Sequence, residues 1–182
     1  MLLNYYPWRI LLNILLIFCP PGKSKSLCWP VASLGQLLKA AGGKMKRIKA
    51  VLEYDGSGYH GFQIQKNAIS IQETIESSIE KLIGYRVSIM AAGRTDAGVH
   101  ALGQVIAFDT NSSIPADKWK FALNSILPAD IRVISSCRVD SDFHPRFQAL
   151  DKKYIYYIYR RQRGRVFYSP YAYCNQEKLN ME

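Results

Sequence analysis

The stretch Ala91-Ala92-Gly93-Arg94-Thr95-Asp96-Ala97-Gly98-Val99-His100-Ala101-Leu102-Gly103-Gln104-Val105 constrains the fold of this chain more than any other. Val87-Ser88-Ile89-Met90-Ala91-Ala92 leads into it and Gln104-Val105-Ile106-Ala107-Phe108 leads out. Both runs are rich in residues that suit a pleated, half-buried surface. Between them Gly93, Gly98 and Gly103 permit backbone angles and close approaches that a Cβ forbids. The pattern predicts two buried strands presenting a short, tightly folded loop, with Arg94 and Asp96 carried outward. An arginine two positions from an aspartate can meet it on such a loop. A guanidinium favours the charged form of a nearby carboxylate, and a charged carboxylate suits nucleophilic chemistry. Thr95-Asp96-Ala97-Gly98 is also good turn chemistry, because Asp bonds local backbone and Gly supplies positive φ. On these residues alone both readings stand.

Composition places the chain among globular proteins: 182 residues, 48% of them hydrophobic, with 12 Tyr. Charge is uneven. Five of the 24 Lys and Arg residues fall within 1–44, where none of the 14 acids lies. In the remainder the excess is local, because Arg146, Lys152, Lys153, Arg160, Arg161, Arg163 and Arg165 are opposed over 146–165 by Asp151 alone. Tyr154, Tyr156, Tyr157 and Tyr159 are interleaved with these cations, a pairing of charge with stacking surface that suits nucleic acid. Alternation on a strand sends odd and even positions to opposite faces, so part of this tyrosine set belongs to the core. Cys19, Cys28, Cys137 and Cys174 form no Cys-x-x-Cys pair and have no Cys/His ligand spacing. Neither zinc nor a disulfide framework is indicated, and the scattered His60, His100 and His144 read as polar contacts.

Residues 1–44 differ in character from the rest of the chain. The apolar run 8–18 is interrupted by Arg9 and Asn13 and is shorter than the ~20 residues a membrane span needs. Pro20-Pro21-Gly22 ends any helix there, and the outline of a signal peptide lacks a clean charged leader. We expect Met45 to open the folded body and residues 1–44 to be an extension without a role in the fold, with organellar targeting as the lesser alternative. From Met45 the order is regular. Arg47 to Tyr54 alternates as a strand, and Asp55-Gly56-Ser57-Gly58 turns. Ser70-Ile71-Gln72-Glu73 is a capping box, followed by the helical stripe Ile71, Ile75, Ile79, Leu82 and a terminating Gly84. Pro115 opens a second helix with Trp119, Leu123 and Ile126 on its buried side. Ile131-Arg132-Val133-Ile134 is a strand, Asp142-Phe143-His144-Pro145-Arg146-Phe147 a loop, and 152–161 a last strand. The sum is an α+β layer, a mainly antiparallel sheet with helices on one face, which leaves the other face free.

Gly93-Arg94-Thr95-Asp96-Ala97-Gly98-Val99-His100 resembles the signature loop of the TruA-type tRNA pseudouridine synthases. The resemblance runs from Lys46 to about Tyr173 through ordered segments: Leu52-Glu53-Tyr54-Asp55-Gly56, Ser70-Ile71-Gln72-Glu73, the loop, Leu123-Asn124 with Leu127-Pro128, 142–147, and Lys152-Lys153-Tyr154. It implies a ferredoxin- or RRM-like half of the pseudouridine synthase fold in 45–182, the N-terminal catalytic half, without the C-terminal half that closes the cleft and adds a basic residue to it. Carried over residue by residue, Asp96 is the catalytic carboxylate and Arg94 its ion-pair partner, which also helps hold the flipped nucleotide out. Tyr154 lies against the target uracil. Phe143, His144, Arg146 and Phe147 contact tRNA, and Phe62 and Gln63 are weaker candidates for the cleft. The implied protein is a cytoplasmic homodimer that isomerises uridine in the anticodon stem-loop of tRNA. The alternative is a truncated, non-catalytic RNA-binding module of the same fold.

That reaction breaks the N1–C1′ bond, turns the freed uracil and rejoins it through C5. It involves neither redox nor hydrolysis, so it calls for no nucleotide cofactor and no metal. Glycosidases typically use two carboxylates, one to protonate the leaving group or activate water. Here the leaving group stays bound, and one carboxylate serves by adding to C1′ or to C6, or by removing a sugar proton. The base must be extruded from a stem at a cost of a few kcal/mol. Cations on the backbone offset that cost, with Arg146, Lys152, Lys153 and Arg160 as candidates.

Overall fold

A computed structural model of the chain describes residues 14–18 (backbone only), 44–160, 166–177 and 180. Pro20-Pro21-Gly22 and the cations Arg161, Arg163 and Arg165 lie outside the described residues, as does most of the apolar run 8–18.

Strand β1 is Ile14–Phe18, β2 Lys46–Tyr54, β3 Met90–Ala91, β4 His100–Thr110, β5 Ile131–Val139, β6 Asp151–Ile155, β7 Ile158–Arg160 and β8 Tyr173–Asn175. The helices are α1, Ile71–Ile83, and α2, Trp119–Asn124. The main sheet runs β5-β2-β4-β1-β6, with β3 on the β4 edge beyond β1, while β7 and β8 form a separate parallel pair. Within the main sheet every pairing is antiparallel except β1 with β4. The α+β architecture expected from the sequence is the one observed.

Alternation along β2 explains the core. Ile48, Ala50, Leu52 and Tyr54 are buried and join Ile71, Ile75 and Ile79 of α1 and Trp119 and Leu123 of α2 in one cluster. Phe108 meets Trp119 edge-on, with ring centroids 5.0 Å apart. The opposite face of β2 is only partly free. Arg47 donates to the Phe143 carbonyl at 2.9 Å, and the Lys49 ammonium lies 5.6 Å from the Phe143 ring centroid, so the 140–149 segment covers this end.

The structure departs from expectation at four places. Strand β1 falls inside the stretch expected to have no place in the fold, and it pairs on both edges. Of the lead-in strand only Met90–Ala91 is paired. The Ile89 amide instead donates to the Glu76 carboxylate at 3.0 Å, which ties this segment to α1. Pro115 opens a turn, closed by Lys118 N–H to its carbonyl at 3.0 Å, so α2 starts only at Trp119. That short helix ends before Ile126, which is left exposed. The last strand breaks at 156–157 into β6 and β7.

Candidate active site

The 93–99 loop leaves β3 and returns as β4, and its shape is set by anchors at alternate residues. The Gln104 amide donates to the Gly93 carbonyl at 2.6 Å. Thr95 is buried, its hydroxyl bonded to the Tyr54 phenol at 2.8 Å and its carbonyl to the Phe62 amide at 2.9 Å. Burial pushes the Tyr54 phenol up to about 12, so it stays protonated at neutral pH and available to Thr95. With Gly93 and Thr95 fastened inward, Arg94 and Asp96 between and beyond them are exposed.

The 55–63 loop forms the wall behind. Gly98 N–H donates to the Tyr59 carbonyl at 3.3 Å, and Val99 N–H to the Asp96 carbonyl at 3.2 Å. Two glycines make the approach possible. A Cβ on Gly56 would stand 2.1 Å from the Val99 oxygen; Gly61, at φ +90°, would put one 2.9 Å from the Thr95 oxygen. Phe62 is buried and serves packing, whereas Gln63 is exposed.

The expected Arg94–Asp96 ion pair is not formed among the described residues, whose ion pairs include Arg47–Asp109, His100–Asp55 and Lys118–Asp117. Arg94 and Asp96 are both exposed, and the anchors at Gly93 and Thr95 do not draw them together. Tyr154 is 62% exposed on β6. Its register partner is Leu15, whose other neighbour is Ala101 of β4. Strand β1 therefore separates Tyr154 from the strand that carries the loop, by two strand spacings of about 10 Å in total.

The other sequence candidates divide. Phe143 is only 8% exposed and packs under Lys49 and Arg47, so its side chain faces the sheet and not the solvent. His144 is half-buried, its Nδ1 accepting from the Arg146 amide at 3.2 Å and its ring 4.3 Å from that of Phe147. Arg146, Phe147, Lys153 and Arg160 are exposed and Lys152 is partly so. Tyr154 and Tyr156 are exposed while Tyr159, beyond the break and on β7, is buried. Sequence reading did not single out Tyr54 and Gln104, although both stand in segments it quoted. Their roles depend on which strand neighbours lie under the loop. Among the described residues no group of three or more His, Cys, Asp or Glu is placed to hold a metal ion. No helix of the described residues is long and apolar enough to cross a membrane.

Comparison with known proteins covers the stretch that contains this loop. The profile of a family described as tRNA pseudouridine synthase matches residues 50–148. The tRNA pseudouridine synthase A of Syntrophomonas wolfei is 56% identical over 138 residues, covering 76% of this chain and 55% of that protein. Those of Acetivibrio thermocellus and Thermoanaerobacter sp. strain X514 are 48% and 44% identical over 138 residues, with 57% of each covered. The chain thus spans little more than half the length of these relatives. With the signature loop, both of its anchoring strands and the 55–63 wall inside the matched region, the chain belongs to the tRNA pseudouridine synthase family.

Proposed function

We propose that this chain carries the catalytic half of a tRNA pseudouridine synthase, isomerising uridine in the anticodon stem-loop, with Asp96 as the catalytic carboxylate. The observation that carries the reading is the alternate anchoring of the loop, which commits Gly93 and Thr95 to the protein and leaves Asp96 and Arg94 to the substrate. Asp96 attacks the nucleoside or removes a proton from its sugar. The N1–C1′ bond breaks and C5 joins C1′; the C5 proton is then lost and N1 gains one, so the product is an isomer. Arg94 holds the extruded nucleotide. Following the family resemblance, Tyr154 stacks on the base once β6 is brought from beyond β1 toward β4, and Arg146, Lys152, Lys153 and Arg160 take the phosphates, with Phe147 and His144 beside them. Replacing any one of these four cations by alanine should lower the salt dependence of binding by about one unit of slope. We place the reaction in the cytoplasm and the working form as a homodimer, following the family resemblance.

Asp96→Asn tests the assignment on unmodified tRNA. The variant should form no pseudouridine while binding tRNA within about twofold of the parent chain, because one exposed neutral substitution leaves the phosphate contacts in place. Turnover by the variant, or an equal loss of binding and turnover, would remove Asp96 from the chemistry.

A further inference from the structure

The exit of the 93–99 loop is held by a polar cluster drawn from three distant parts of the chain. Asp55 follows β2, His100 opens β4, and Tyr171 comes from the segment between β7 and β8. His100 is 5% exposed, and its Nδ1 lies 3.0 Å from Asp55 Oδ1. Tyr171 donates its hydroxyl to Asp55 Oδ2 at 2.9 Å and sets its ring against the imidazole, centroids 5.2 Å apart. The Ser57 amide donates to Asp55 Oδ1 at 2.9 Å, and the Gly56 amide points at His100 Nδ1 from 3.2 Å.

Two of these contacts, the Asp55 carboxylate and the Gly56 amide, meet at one ring nitrogen. Nδ1 cannot donate to the carboxylate and accept from the amide at the same time. The bond to a charged carboxylate is the stronger of the two, and Tyr171 and Ser57 fix that carboxylate in place. The imidazole in turn fixes where β4 begins. Val99 immediately precedes it, its carbonyl crowded against Gly56 and its amide bonded to the Asp96 carbonyl. Val99 thus links the backbone at His100 to that of Asp96.

We propose that Asp55, His100 and Tyr171 are positioning residues for Asp96, locking the imidazole through Nδ1 so that the loop holds its carboxylate at one angle. The proposal rests on the reading of Asp96 as the catalytic carboxylate. It also makes the 166–177 segment part of the machinery, although it is remote in sequence from the loop.

Amide hydrogen exchange at Gly98 and Val99 in the full chain tests this, together with kcat and KM on unmodified tRNA. Tyr171→Phe keeps the ring and removes the bond to Asp55. His100→Asn keeps a polar group near the Nδ1 position, whereas His100→Gln matches the volume better but moves that group toward Nε2. Exchange at Gly98 and Val99 should quicken about tenfold in Tyr171→Phe and His100→Gln and stay close to the parent in His100→Asn. The value of kcat should fall in the same order by about tenfold or more, with KM unchanged. A role in packing alone would rank Gln above Asn. That ranking, or a Tyr171→Phe chain with parental exchange, would overturn the proposal. Tyr171 is 40% exposed, so its variant remains informative if a His100 variant fails to fold. Turnover by Asp96→Asn would instead overturn the reading of Asp96, while the exchange rates would still decide whether the three residues hold the loop.

Discussion

Arg47 is committed three times over. It faces Asp109 directly across β2 and β4, donating from Nε at 2.8 Å and from Nη2 at 2.7 Å, and its Nη1 reaches the Phe143 carbonyl. Hydrogen bonds from Arg47 hold the Asp109 carboxyl below its ordinary value, against the opposing effect of partial burial. A depressed folded-state pKa stabilises the fold above the unfolded value of about 3.9, and that contribution is lost as pH falls through the folded value. Asp109 is 41% exposed, so solvent screening limits the effect. Asp109→Asn should cost about 1 kcal/mol at neutral pH and close to nothing near pH 2. Urea titrations at the two pH values check this, and an equal gap at both would show that charge is not the cause. Gly56 makes the matching case for shape. A Cβ there meets backbone of Val99 at 2.1 and 2.7 Å, whereas one on Gly58 meets nothing within 4 Å. Thermal melts should show Gly56→Ala destabilised by about 1–3 kcal/mol and Gly58→Ala nearly unchanged. Equal effects would mean that the loop exit yields freely.

Elements were legible where their signals are local. Ser70 caps α1 by accepting the Glu73 amide at 3.2 Å, and Gly84 ends it in the left-handed region at φ 80°. Both assignments were available from residues within four positions of the helix ends. Ser70→Ala should cost about 1 kcal/mol in chemical denaturation, and Ser70→Asp should restore most of it; failure of the aspartate to rescue would argue that burial of Ser70, not capping, matters. The elements that sequence misjudged answer to partners outside their own run. Val87 and Ile89 look like a strand, yet the buried Glu76 carboxylate on α1 claims the Ile89 amide before any neighbouring strand does. The 152–161 run has strand composition throughout, but β6 pairs with β1 while β7 pairs with β8, and the chain must turn between them. Of these partners only β1 is remote in sequence; Glu76 stands 13 residues from Ile89 and β8 pairs with β7 fifteen residues on, and neither is marked as a partner by the local pattern.

For the molecule as a whole, the least legible feature is β1, because both of its neighbours lie more than eighty residues away. It also decides how much of the site the sequence could reveal. The glycine spacing already suggests that Arg94 and Asp96 are carried outward, although the anchors that hold them so are not visible in it; the separation of Tyr154 from them follows from what occupies the β4 edge at His100–Gly103. Strand β6 runs antiparallel to β1, and β1 runs parallel to β4, so β6 already has the orientation to pair with β4 directly. An open edge strand seeks such a partner, since its amides and carbonyls are otherwise left to water. A chain beginning at Met45 should therefore stay folded, with β6 moving one strand spacing of about 4.8 Å onto β4 and carrying Tyr154 toward the loop. Hydrogen exchange gives the test at the amides of Ala101 and Gly103. Their protection should remain within about tenfold of that in the full chain. Exchange at rates typical of an open strand would show that nothing replaces Ile14–Phe18, and that Tyr154 approaches Asp96 by some other route or not at all.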